Sequence, residues 1–272
     1  MESQDVSPCC LTIAGSDSGG NAGVQADLRA FHAYGLHGCT VFAALTAQNP
    51  FGVSAIHTVP ADFVAAQLDA VLGVYDIRAL KTGMLADAAV IEVVADRLSA
   101  HPEIAKVIDP VMVATSGARL VSEAAVEAIK SRLLPLATLI TPNLPEAEAL
   151  CGNAIEPNAQ RAGDAAHAAE LARRLSDRFG CAVLVKGGHG AGASAVDVLV
   201  MRADGPVREF AMPGVKDPVS THGTGCTLAA ALAAELARGA DIEKAVEGAK
   251  RHVHHAIATS FLVGKNCGVL GF

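Results

Sequence analysis

Cys10-Leu11-Thr12-Ile13-Ala14, followed by the loop Gly15-Ser16-Asp17-Ser18-Gly19-Gly20-Asn21-Ala22-Gly23 and an amphipathic run to Tyr34, is the stretch on which the fold turns. A short apolar β-type run, a glycine-rich turn and a helical pattern make one strand-loop-helix unit. The same unit recurs along the chain. Strand-like runs at 40–45, 80–85, 106–111, 138–141 and 182–185 alternate with helical stretches at 61–71, 87–98, 122–134, 146–150 and 162–179. Runs at 196–201 and 207–212, separated by Ala203-Asp204-Gly205-Pro206, read instead as a hairpin, and two helices at about 224–238 and 242–259 close the chain. Repeated strand-helix alternation requires right-handed crossovers, which place helices on both faces of a mostly parallel sheet. The expected class is therefore α/β, with ligands beyond the carboxyl ends of the strands.

Composition narrows the chemistry. The 272 residues are 51% hydrophobic and 18% charged, with no biased segment dividing them, so one domain over 9–272 after a flexible 1–8 is expected. A net charge of -7 supplies no basic face for a nucleic-acid backbone. No apolar run is long enough to span a membrane, and Met1 to Ser7, with two acids and no base, does not read as a signal peptide. Seven cysteines, at 9, 10, 39, 151, 181, 226 and 267, form an odd set without a C-x-x-C pair; reduced thiols in the cytoplasm are the simplest reading.

The residues with distinctive chemistry fall just after the strands. Thr221-His222-Gly223-Thr224-Gly225-Cys226 runs directly into the small-residue helix Ala229-Ala230-Ala231-Leu232-Ala233-Ala234. Free N–H groups at such a helix start form an anion hole, which the glycines let a phosphate approach and the helix dipole favours. The same dipole is expected to lower the Cys226 thiol pKa and equip it to take or orient a hydroxyl proton; a glycine-capped helix with a small buried Cys is the plainer alternative. The loop around Asp17 lacks the Gly-Lys-Ser/Thr ending of a P-loop, so it reads as a substrate enclosure or as a tight turn capped by Asp17. Asn143 and Glu146, three apart in Thr141-Pro142-Asn143-Leu144-Pro145-Glu146, suit a hydrated Mg²⁺ beside ATP phosphates or, equally, a capping box. Lys186, ending the apolar run 181–185, points a cation toward phosphates. Gly188-x-Gly190-x-x-Ala193 matches a dinucleotide fingerprint, but a strand pattern follows where that motif requires a helix. His252 and His255 share a face of the last helix without acidic or Cys partners, a weak basis for a metal site.

Together these segments resemble the ribokinase-like superfamily, and more closely its hydroxymethylpyrimidine/phosphomethylpyrimidine kinases of thiamine biosynthesis. The resemblance rests on 14–27, Thr46-Ala47-Gln48-Asn49, Lys81-Thr82-Gly83-Met84, Asp109-Pro110-Val111-Met112, Thr141 to Ala147, Val185-Lys186-Gly187-Gly188-His189 and His222 to Cys226, in that order. It implies a three-layer fold and ATP-dependent phosphorylation of an aminopyrimidine and then of its monophosphate. Gly15, Asp17, Ala22, Gln48, Met84 and Val111 would surround the ring. Lys186 and Thr224 would meet the nucleotide, and Asn143 and Glu146 would organise Mg²⁺ through water. Gly223, Thr224 and Gly225 would form the anion hole, with Cys226 where sugar-kinase relatives carry an aspartate base. Asn21 departs from the glycine common in the family. Pyridoxal is the alternative acceptor, and a silent pyrimidine-binding protein the alternative from another class. The partners expected are this small molecule and a second copy of the chain, with no nucleic acid and no membrane.

Overall fold

A computed structural model describes residues 7–112, 122–152, 165–187 and 194–272. Its centre is a nine-stranded sheet in the order β3-β2-β1-β4-β5-β6-β7-β8-β9, formed by β1 (Cys9–Gly15), β2 (His37–Asn49), β3 (Gly52–Thr58), β4 (Ile77–Thr82), β5 (Ala105–Ile108), β6 (Leu139–Ile140), β7 (Ala182–Val185), β8 (Ser194–Val200) and β9 (Val207–Pro213). The six strands from β2 to β7 in that order run parallel. Antiparallel β3 closes one edge and the expected β8–β9 hairpin the other.

Side chains alternate across the sheet as a period of two requires. Leu11, Ile13, Leu80, Ile108, Ile140, Val183 and Val185 face one core, against α2 (Ala61–Leu72), α3 (Ala88–Ser99), α4 (Glu123–Ala128), α5 (Leu144–Leu150) and α6 (Ala165–Phe179). Cys10, Ala79, Val107, Leu139, Ala182 and Leu184 face the other, against α1 (Gly23–Ala33), α7 (Thr224–Ala237) and α8 (Ile242–Ala258). Helices thus cover both faces, and the layering is that of the ribokinase-like fold. Ala229, Ala230, Ala231, Ala233 and Ala234 are fully buried in α7, so small side chains let this helix lie close to the sheet.

The departures have local causes. The strand expected at 40–45 continues through Asn49 and turns back as β3, whose Ser54, Ala55, Ile56, His57 and Thr58 are exposed and therefore carry no burial pattern. The helix expected over 122–134 ends at Ala128. A wider turn over 129–133 and a 3-10 turn over 134–136 follow, where Pro135 has no N–H for an α-helical bond. A hairpin of β10 (Phe261–Val263) and β11 (Cys267–Val269) was not anticipated. The dinucleotide-fingerprint glycines and the outermost N-terminus fall outside the described residues, but the segment after that motif is strand β8, which excludes the helix the fingerprint requires. His252 packs its ring against Tyr34 and Phe272, a structural use of the histidine considered as a ligand.

Candidate active site

A cavity of about 970 Å³ opens at the carboxyl ends of the parallel strands, within the size range of sites that hold a nucleotide and a small ring. It is lined by Gly15, Asp17, Ala22, Gln48, Met84, Val111, Asn143, Glu146, Lys186, Gly223, Thr224, Gly225 and Cys226, so every candidate position reaches one site.

The ring side of the cavity is held by backbone close approach. Gly15 donates its N–H to the Met84 carbonyl at 3.0 Å, and a Cβ on Gly15 would stand 2.6 Å from the Met84 methyl. Gln48 follows an irregularity in the β2–β3 register, and its Oε1 lies 3.3 Å from Thr46 Oγ1. Asp17 behaves as the turn alternative required: its carboxylate accepts from the N–H groups of Gly19, Asn21 and Ala22 at 2.8–2.9 Å. It shapes the loop with the same oxygens that a ring would have used.

At the other side, Gly223 caps α7 in the left-handed region at φ 89°, where its hydrogen allows the chain to pass the Asn21 carbonyl; a Cβ there would lie 1.9 Å from that oxygen. Thr224, Gly225 and Cys226, the first residues of α7, line the cavity; the Thr224 N–H donates to the Thr221 carbonyl at 3.4 Å, and N–H groups this early in a helix have no intrahelical acceptor. Lys186 converges on the same turn, because a Cβ on Gly225 would stand 3.8 Å from Lys186 Nζ. Its ammonium is also bonded to Asp109 Oδ1 at 2.8 Å and lies 4.0 Å from Glu146 Oε2. Thr141 donates to the same Asp109 oxygen. Asp109, named in the sequence only as a strand end, is thus the anchor of the phosphate-side lysine.

One of the two readings of Asn143 and Glu146 is visible, and one expectation changes. Asn143 and Glu146 form a complete capping box: Asn143 Oδ1 accepts from the Glu146 N–H at 2.9 Å and Glu146 Oε2 from the Asn143 N–H at 2.8 Å. The amide oxygen intended for a cation is therefore engaged with backbone. Cys226, by contrast, does not have a lowered pKa. Burial pushes the thiol up, and the Lys81 ammonium and the Gly23 N–H only partly oppose this. Desolvation outweighs the helix dipole.

Burial also pushes the Glu146 carboxyl up to about 7, opposed by Lys186 and reinforced by Asp109. A carboxyl raised on folding contributes stability that is whole below its unfolded value of 4.5 and is lost as pH rises through about 7. In magnesium-free buffer, wild-type protein should lose thermal stability between roughly pH 4.5 and pH 7. Glu146→Gln, which retains capping-box geometry, should stay flat over that range. Parallel melting curves for the two proteins would refute the assignment.

Two buried ion pairs had no signature in the sequence. Lys81 Nζ lies 3.0 and 2.9 Å from the two oxygens of Asp27, which also accepts from Thr12 at 2.6 Å, and none of these side chains is exposed. Lys250 on α8 meets Asp197 on β8 at 2.7 Å, and the other Asp197 oxygen accepts the Gly187 N–H. Both lysines line the cavity.

The family model described as phosphomethylpyrimidine kinase matches residues 17–271. A Rhizobium meliloti protein named hydroxymethylpyrimidine/phosphomethylpyrimidine kinase is 46% identical over 250 residues, 92% of this chain and 90% of its own. Among solved structures, a Clostridium difficile phosphomethylpyrimidine kinase superposes with a TM-score of 0.78 at 35% identity, covering 92% of this chain and 99% of that one. A Bacillus subtilis pyridoxal kinase in complex with ADP gives 0.84 at 32% identity, covering 97% of each. With a match over nearly its whole length and the phosphate-side geometry in place, the chain belongs to the phosphomethylpyrimidine kinase family.

Proposed function

We propose that the protein phosphorylates 4-amino-5-hydroxymethyl-2-methylpyrimidine with ATP and then phosphorylates the resulting monophosphate, supplying the diphosphate for thiamine biosynthesis. The observation that carries this reading is the convergence of Lys186 on the Gly225 turn of α7, at the end of a cavity whose other end is lined by Gly15, Gln48, Met84 and Val111.

The α7 N–H groups hold the transferring phosphoryl group, and Lys186 balances the charge that accumulates on it. The ring end holds the acceptor so that its hydroxymethyl oxygen lies in line with the γ-phosphorus. That oxygen forms the new P–O bond as the β–γ bridge breaks and ADP departs. Cys226 faces the attacking oxygen as a protonated thiol, so orienting the hydroxyl is its first role and proton transfer follows only as the bond forms. Cys226→Ala should cut kcat at least about tenfold. Turnover near that of the wild type would leave the thiol a packing role.

Mg²⁺ fits the acidic pair Glu146 and Asp109, where a single ammonium, that of Lys186, stands against two carboxyls. Among the described residues no three metal-ligating side chains converge, so the ion would keep waters and nucleotide oxygens among its ligands. It would supply charge neutralisation across the β- and γ-phosphates.

Pyridoxal is the second acceptor to consider, since the Bacillus subtilis pyridoxal kinase shares the fold at a TM-score of 0.84. Steady-state kcat/KM on the two vitamins decides between them: the proposal requires the pyrimidine to be preferred, and a preference for pyridoxal would reverse it. A homodimer is supported by the exposed apolar side chains Leu45, Phe51, Ile56 and Phe63 of β2, the β2–β3 turn, β3 and α2. Seven unpaired thiols support a reducing, cytoplasmic setting.

A further inference from the structure

The second transfer poses a problem that the first does not. Its acceptor carries a phosphate of about two negative charges into the gap between the ring end and the anion hole. That gap is bounded by Asp17 on the α1 side and by 222–226 on the α7 side, and the two loops touch where Gly223 passes the Asn21 carbonyl. The lysines that line the cavity already face carboxylates: Lys81 faces Asp27, Lys186 faces Asp109 and Lys250 faces Asp197.

His222 differs. Its ring lines the same cavity directly before Gly223, and its Nε2 is buried with no hydrogen-bond partner among the described residues. An unsatisfied buried ring nitrogen is costly unless a ligand completes it. The nearest anion is Asp17 Oδ2 at 3.9 Å, beyond hydrogen-bond reach and already accepting from Asn21 and Ala22. The backbone N–H of His222 is donated to Ser220 Oγ at 3.3 Å, and Ser220 and Val219 in turn donate their N–H groups to Ser260 Oγ after α8. The backbone that carries the imidazole is therefore braced, while Nε2 has no partner among the described residues.

We infer that His222 is a substrate-binding residue specific to the second transfer, donating from Nε2 to the ester phosphate of the monophosphorylated acceptor. An oxygen of that ester phosphate attacks the γ-phosphorus, a P–O–P link forms, the β–γ bridge of ATP breaks and ADP leaves. The attacking oxygen is already ionised, so the step needs an anion holder between Asp17 and the acceptor phosphate more than it needs a base. His222 occupies that place. In the first transfer the acceptor oxygen is a neutral hydroxyl, to which the imidazole contributes little.

The inference rests on the two-step reading above, and its failure is distinguishable from failure of that reading. Wild-type protein that phosphorylates neither pyrimidine would refute the proposed function. If wild type performs both steps, His222→Asn and His222→Leu test the inference through the ratio of kcat/KM for the alcohol to kcat/KM for the monophosphate. The ratio should rise about tenfold or more, the size of one hydrogen bond to a charged acceptor, chiefly through KM for the monophosphate. Because the alcohol serves as the internal control for folding, a general loss of structure leaves the ratio unchanged. An unchanged ratio in folded variants, or a fall, overturns the inference.

Discussion

Gly223→Ala is expected to lower kcat/KM for the pyrimidine by about 100-fold, through displacement of the groups that meet at this turn. Two effects add at this position. A side chain at φ 89° is strained in itself, and its Cβ would lie 1.9 Å from the Asn21 carbonyl oxygen, so the loop from Asp17 to Ala22 and the turn before α7 must separate. A displacement of about one ångström between nucleophile and electrophile is enough to cost about 100-fold. Gly239→Ala controls for backbone strain alone, since Gly239 has φ 88° beyond the far end of α7 and nothing within 4 Å of its Cβ position. That variant should be less stable but as active as the wild type. Equal kinetic losses in the two would show that strain, not the meeting of the loops, is responsible.

Lys81→Met should destabilise the fold by about 3–5 kcal/mol, because it leaves the Asp27 carboxylate without its cation in a site no solvent reaches. Against a total stability of roughly 5–15 kcal/mol, a loss of this size exposes much of the protein to unfolding near ambient temperature. The Asp27 carboxylate keeps the Lys81 ammonium firmly protonated despite burial. Removing both charges in Lys81→Met/Asp27→Leu should restore most of the stability, as replacement of a buried pair by apolar groups commonly does. Activity should not return with it, because the ammonium lines the cavity and its field is one of the influences that lower the Cys226 thiol pKa. Urea unfolding measures the first outcome and turnover of the stable double variant the second. A double variant as unstable as the single one would place the energy elsewhere, and wild-type turnover in it would confine Lys81 to the scaffold.

These two positions also mark where the sequence is legible and where it is not. The glycine turn before α7 is written in adjacent residues, 221–226, and so are the strand ends that supply Gly15, Gln48, Met84 and Val111, because local backbone geometry dictates glycine, apolar runs and turns. The charged framework beneath them is not local: Asp27 meets Lys81 54 residues away, Asp109 meets Lys186 77 away and Asp197 meets Lys250 53 away. No periodicity marks a lysine that will be buried against a distant carboxylate, and only the folded sheet brings the partners together. Asn143 and Glu146 show the converse. Their spacing permits both a cap and a cation site, and the structure shows the cap. For Cys226 the helix dipole was the visible influence, whereas the larger one, burial, depends on neighbours contributed by α1 and β4. Strand β3 leaves no mark in the sequence because an exposed antiparallel edge strand alternates no apolar residues inward.

The most direct test of the two-step kinase reading is to incubate the pure, folded protein with ATP, Mg²⁺ and 4-amino-5-hydroxymethyl-2-methylpyrimidine and to follow the phosphorus species by NMR. The account predicts a monophosphate ester that rises and then declines as a diphosphate accumulates, with one ADP formed per phosphoryl group transferred. ADP formation that is independent of the pyrimidine, or no phosphorylated pyrimidine at all, would contradict it.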